Sequence, residues 1–220
     1  MEQELKFTIN NQFKDQFKKQ LCVDCFQDDQ YNSNEVFSIY FDNPDLALLM
    51  GKASSDFLKT KLRLRWYDNS NQDKEFLCFL ELKEKIGSSR KKNRLKITVN
   101  KNIYDFLNST EFIQIKRQFI QEHCSELSGL ALSPHVLIHY KRSRLIDKFH
   151  QYRLSFDTDI KASSFLNRRR IHLNQSVFEI KGKGLHELPV NLRNLSHFGL
   201  KKAAFSKYYE CCTQLNHYHQ

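Results

Sequence analysis

The sequence predicts an α+β fold: an eight-stranded antiparallel β-barrel with a charged lumen and helices packed on the outside. Three observations predict it. Residues 59–67 alternate without a break, with Lys59, Lys61, Arg63 and Arg65 on one parity and Thr60, Leu62, Leu64 and Trp66 on the other. Successive strand side chains point to opposite faces, so one strand projects four cations from one face and an apolar row from the other. Four other segments repeat the charged-face, apolar-face design. About eight candidate strands run through the chain, the number at which a barrel interior just holds side chains or one ligand.

The candidate strands lie near 2–9, 35–42, 57–67, 75–86, 94–99, 135–142, 151–160 and 176–182. In the first, Glu2, Glu4 and Lys6 alternate with Leu5, Phe7 and Ile9. In Phe76–Ile86, Glu81, Lys83 and Lys85 oppose Cys78, Leu80 and Leu82. In Tyr152–Ile160, Arg153, Ser155, Asp157 and Asp159 oppose Leu154, Phe156 and Ile160. In Val177–Lys181, Glu179 and Lys181 share a parity with Val177.

Helical segments fall between the strands. Asn11–Cys25 carries Phe13, Phe17 and Leu21 at helical spacing, behind an Asn cap. Asn43-Pro44 opens a short helix through Met50, with Asn as cap and Pro at the first position. Residues 101–127 read as helix with a break near Asn108-Ser109. Pro189 starts another short helix, and Ala203–Leu215 forms the last. Residues 88–94, with Arg90, Lys91, Lys92 and Arg94, read as a basic loop, as does Arg168–Arg170.

The chain has 220 residues, simplest as one domain spanning 1–220, and a formal net charge of +10. That balance calls for an anionic partner. Like charges lined up on one strand face repel, and a polyanion between them relieves the repulsion; phosphate suits lysine and arginine best. Nucleic acid fits less well. Its groove wants exposed aromatics beside the cations, and here the aromatics mostly occupy the apolar parity. The glutamates interleaved with the cations supply a reason for metal, since Mg²⁺ and Mn²⁺ take carboxylate and phosphate oxygens together. No apolar run approaches the ~20 residues of a membrane span, and the first residues lack a signal-peptide pattern, so a cytoplasmic location is expected. The six cysteines are then free thiols. Cys22-x-x-Cys25 lacks a second pair at ligand spacing and reads as packing.

The N-terminal Glu2-x-Glu4-x-Lys6 resembles the signature of the CYTH, or triphosphate-tunnel, superfamily. Seven further segments, in order, resemble the polyphosphate polymerase domain of the vacuolar transporter chaperone (VTC) family. They are Ser38–Pro44, Lys61–Tyr67, Phe79–Lys83 with the following Lys91-Lys92, Pro134–Val136 leading to Tyr140–Arg142, Tyr152–Asp157, Phe178–Lys181 and Phe205–Tyr208. The resemblance implies transfer of the ATP γ-phosphate to a growing inorganic polyphosphate chain, with Mn²⁺ or Mg²⁺. It implies catalytic roles for Arg63, Arg65, Lys83 and Lys207. Phosphate would be bound by Lys6, Lys59, Lys61, Lys85, Arg142, Arg153 and Lys181. Metal would be held by Glu179, with Glu4 and Glu81 nearby. Any membrane function would come from a partner chain. A triphosphatase of the same fold and a non-catalytic polyphosphate or nucleotide sensor are the alternatives.

Overall fold

The computed structural model describes residues 2–28, 33–54, 58–67, 75–87 and 89–215. Its strands are β1 (Gln3–Asn10), β2 (Cys25–Gln27), β3 (Ser33–Asp42), β4 (Leu58–Tyr67), β5 (Phe76–Ile86), β6 (Ser89–Val99), β7 (Ser133–Asp147), β8 (Arg153–Ser164), β9 (Arg170–His172), β10 (Gln175–Gly182) and β11 (Lys201–Lys202). The helices are α1 (Lys14–Asp24), α2 (Ala47–Ser54), α3 (Ile103–Leu107), α4 (Thr110–His123) and α5 (Lys207–Gln214), with a 3-10 segment at Val190–Phe198.

The strands form one 11-stranded sheet, ordered β11-β1-β10-β8-β7-β3-β4-β5-β6, with β2 added to β7 and β9 to β8. Every pairing is antiparallel. This corrects the expected barrel in two ways. The sheet holds three strands beyond the eight foreseen, and each of them has only two or three residues, too few to leave an alternating pattern. The sheet is also open. Among the described residues no backbone ladder joins β6 to β1 or β11. A side-chain contact spans that seam, Arg90 Nη1 donating to Glu4 Oε2 at 2.8 Å.

The basic segment read as a loop is most of β6. Ile86 pairs directly with Ser89 around a tight turn in which Gly87 takes φ 59°, a left-handed conformation open to glycine at little cost. Ser88 lies outside the described residues. Lys91, between Arg90 and Lys92, breaks the alternation into a basic run and masked the strand, and such charge on an edge discourages pairing with another chain.

Alternation determines the packing. Leu62, Leu64, Trp66, Leu80 and Leu82 are buried on the outer face under Phe112 and Phe119 of α4. Phe7, Phe156 and Phe178 are buried against Phe17 of α1 and Leu195 of the 3-10 segment. Helices therefore cover the outer face, as expected. In addition, α5 packs on the concave face, where Tyr208, Cys211 and Cys212 share a cluster with Tyr140, Ile138 and Val177.

The break near Asn108 is observed: Ser109 caps α4 by accepting from the Phe112 amide at 3.3 Å. α2 starts later than expected, at Ala47. Its first free amides are met by Asp42 as well as Asn43: Asp42 Oδ1 accepts from Leu48 and Oδ2 from Leu49, at 3.0 and 2.9 Å. Strand β8 holds the other departure. Asp159 takes φ 52°, and Asp159 and Ile160 together oppose Tyr140 of β7. The bulge exchanges the faces. Asp159 leaves the parity of Asp157 and reaches Lys14 at 2.5 Å, while Ile160 joins the concave cluster.

Candidate functional site

On the concave face the charged parities of six long strands and the start of α5 surround a cavity of about 630 Å³. β4 contributes Lys59, Lys61, Arg63 and Arg65, β5 contributes Lys83 and Lys85, and β6 contributes Lys92. From the far side come Lys6 and Glu4 of β1, Glu179 and Lys181 of β10, Arg142 of β7 and Lys207 of α5. Strand register fixes this convergence. Lys61 pairs with Lys83, and Lys83 with Lys92, so three lysines stand abreast across β4, β5 and β6, at the spacing where cross-strand neighbours interact.

Arg63, Arg65, Arg142 and Lys207 are each oriented by partners. Arg63 donates from Nε and Nη2 to Glu81 Oε2 at 2.7 and 2.5 Å, and from Nη1 to the Tyr40 hydroxyl at 3.1 Å. Arg65 donates to Ser38 Oγ at 2.9 Å and the Tyr140 hydroxyl at 3.2 Å. Arg142 grips Asp157 through two bonds of 2.6 Å, and Lys207 Nζ reaches the same carboxylate at 2.5 Å. Lys207 also stands 4.7 Å from the centre of the Tyr140 ring. Sequence reading passed over Tyr40 and Tyr140 because it treated aromatics as core. Their parity with Ser38 and Arg142 was the available signal.

The electrostatics follow from crowding. Lys83 has no carboxylate at ion-pair distance among the described residues; Arg63, then burial and Arg65, push its ammonium well below the usual lysine range. Burial alone would raise the Asp157 carboxyl, but Arg142 and Lys207 outweigh it and hold the pKa at about 2. Burial likewise opposes ionisation of Glu179, and Lys6, Lys181 and Arg142 outweigh it, keeping the carboxyl well below its usual range.

A depressed carboxylate contributes stability that is complete above its unfolded pKa and is lost as pH falls through its folded one. For Asp157 the window runs from about 4 down to about 2, and the contribution is about 2 kcal/mol. The melting temperature should therefore fall between those pH values. In Asp157→Asn that part of the fall should vanish, which thermal melts across the range measure directly.

The predicted site residues divide. Arg63, Arg65, Lys83, Lys207, Lys6, Lys59, Lys61, Lys85, Arg142 and Lys181 all line the cavity. Arg153 does not; its exposed guanidinium pairs with Glu2. Glu81 does not fit a metal. It is wholly buried, and its two oxygens already take Arg63, Lys92 and Arg94, so it neutralises and aims cations instead. Glu179 and Glu4 face the cavity beside Lys6, at 3.8 and 2.9 Å from its Nζ. Mg²⁺ is ordinarily held by one or two carboxylates together with substrate phosphates, and an ionised Glu179 with Glu4 fits that pattern. Among the described residues these glutamates form no ready cluster of three ligands. No described helix is long and apolar enough to cross a membrane.

Comparison with known proteins bears on the fold and the family. A search of curated proteins returns no match. Among solved structures, the fold is similar to that of a protein described as a candidate adenylate cyclase from Bacillus halodurans, with a TM-score of 0.55, 13% identity and 94% of each chain covered. At that identity the likeness concerns the fold alone. A like-named protein from Vibrio parahaemolyticus has a TM-score of 0.45 at 13% identity, covering 96% of this chain and 97% of that one. A chain of the Schizosaccharomyces pombe Mediator head module has 0.39 at 12%, covering 98% and 95%. The family model described as VTC domain matches residues 2–216. That match takes in every strand of the cavity and the whole of α5, and the chain belongs to the VTC domain family.

Proposed function

We propose that this domain is an ATP-dependent polyphosphate polymerase, transferring the γ-phosphate of ATP to the end of an inorganic polyphosphate chain. The observation that carries the reading is the convergence of Lys59, Lys61, Arg63 and Arg65 with Arg142, Lys181 and Lys207 around one cavity. Cations from opposite walls suit a ligand with charge along its whole length. They do not suit a base-stacking ligand: Tyr40 and Tyr140 are buried, with their hydroxyls committed to the arginines. ATP and polyphosphate are the partners on this reading, nucleic acid is not, and the domain works where ATP is, in the cytoplasm.

The reaction needs no protein nucleophile. A terminal polyphosphate oxygen forms a bond to the γ-phosphorus, the bond from that phosphorus to the β–γ bridging oxygen breaks, and ADP leaves with the electron pair. Arg63 and Arg65, already aimed by Glu81, Tyr40, Ser38 and Tyr140, hold phosphate oxygens without reorganising during the reaction. Lys83, Lys207 and Arg142 offset the negative charge of donor and acceptor, which would otherwise keep two polyanions apart. Mn²⁺ or Mg²⁺, held by Glu179 and Glu4, would neutralise phosphate oxygens when bound.

Incubating the protein with γ-labelled ATP and Mn²⁺, and resolving the products on a gel, tests the reading. A ladder of labelled polymer is expected. Label released only as free phosphate would mean that water attacks instead, making the domain a triphosphatase. Binding of tripolyphosphate without turnover would make it a sensor.

A further inference from the structure

Four consecutive residues at the start of α5 each bond to a different strand. The Phe205 carbonyl accepts from Lys6 of β1 at 3.4 Å. Ser206 Oγ accepts from Lys61 of β4 at 2.8 Å. Lys207 pairs with Asp157 of β8. The Tyr208 hydroxyl donates to Asp42 Oδ2, at the end of β3, at 2.7 Å. Phe205, Ser206 and Lys207 line the cavity, as do Lys6 and Lys61, while Asp157 is buried beneath it. The fourth lies behind it: Asp42 and Tyr208 are almost fully buried, and neither lines the cavity.

Their chemistry distinguishes this fourth contact. Asp42 is already anchored by the amides of Asn43, Leu48 and Leu49, so it is a fixed point joining β3 to α2. The Tyr208 ring lies flat on Tyr40, with centroids 4.7 Å apart and planes within 5°, and the Tyr40 hydroxyl accepts from Arg63. Tyr208 thus touches both the fixed carboxylate and the aromatic that aims an arginine. It is adjacent in sequence to the one α5 cation that lines the cavity.

We propose that Asp42 and Tyr208 form a positioning latch, setting the start of α5 so that Ser206 and Lys207 face a bound chain of phosphates. Tyr208 is a positioning residue; it acts through Lys207 and Ser206 and does not meet the substrate. The inference rests on the phosphate-polymer reading of the cavity.

Tyr208→Phe removes only the hydroxyl. Asp42 Oδ2 keeps the Leu49 amide, and the ring keeps its stack on Tyr40, so the fold should survive. The measurement is a double-mutant cycle on affinity for inorganic tripolyphosphate, by titration calorimetry. Tyr208→Phe and Lys207→Ala are each expected to weaken binding about tenfold, and the double variant less than threefold beyond Lys207→Ala alone. Full additivity would overturn the latch, since Tyr208 would then act independently of Lys207. Wild-type affinity in Tyr208→Phe would overturn it too.

A parallel turnover assay separates this inference from the functional reading. Non-additive binding losses in a protein that makes no polymer would sink the polymerase and support the latch. Polymer made by the wild type, with the affinity of Tyr208→Phe unchanged, would sink the latch alone.

Discussion

Arg65→Ala should reduce polymer synthesis at least about a hundredfold while moving the melting temperature by no more than a few degrees. The arginine is 6% exposed at the cavity wall, and among the described residues it donates to the hydroxyls of Ser38 and Tyr140. Neither hydroxyl is charged, so losing the guanidinium leaves no buried ion without a partner. Removing one cation also relieves the repulsion on Lys83, to which Arg65 contributes, and the Lys83 pKa should climb. Lys207→Ala should be as damaging to synthesis but costlier to fold, because it takes one of two cations from the fully buried Asp157. Initial rates, with melts of the same preparations, check both statements. An Arg65→Ala protein that turns over normally would remove the arginine from the reaction.

Glu179→Gln carries the second large effect. Glutamine keeps the shape and loses the charge that a divalent ion needs. Nucleotide phosphates would meet a cavity one unit more positive, so ATP affinity should persist or rise while synthesis collapses about a hundredfold or more. Extra Mn²⁺ should restore part of it. Affinity and yield measured across a metal titration resolve the outcomes. Wild-type yield at every metal concentration would leave Glu179 as an ion-pair partner of Lys181 and Lys6, 2.8 and 3.8 Å away, and not a metal ligand.

Where one face of a strand is greasy and the other charged, the sequence carried the fold. The faces of β1, β4, β5 and β10, and above all the inward row Lys59 to Arg65, follow from parity, because a one-residue slip would put every lysine in the core. Parity failed at two kinds of place. In β6 it was hidden by Lys91, which turns an alternating row of cations into an unbroken basic run from Arg90 to Lys92. In β8 it was reset by the Asp159 bulge, which depends on a left-handed backbone that an aspartate rarely advertises. Roles were less legible than positions. Glu81 shares a parity with the cations and so read as a metal ligand; that its oxygens are claimed by Arg63, Lys92 and Arg94 depends on β6 lying beside β5. The Asp42–Tyr208 contact joins residues 166 apart in the chain, and no local pattern reports it.

The open seam between β6 and β1 changes what the enclosure asks of a long guest. A continuous hydrogen-bonded wall would force a linear molecule to be threaded in and out by its tips, at a cost in time that grows with length. Here the wall ends in an arginine, 54% exposed, and a glutamate. Such a contact is screened by salt and worth little, so it can part without unzipping a strand. On the polyphosphate reading, a charged filament would then be laid in from the side, like a cable pressed into a slotted conduit, and lifted out along its length.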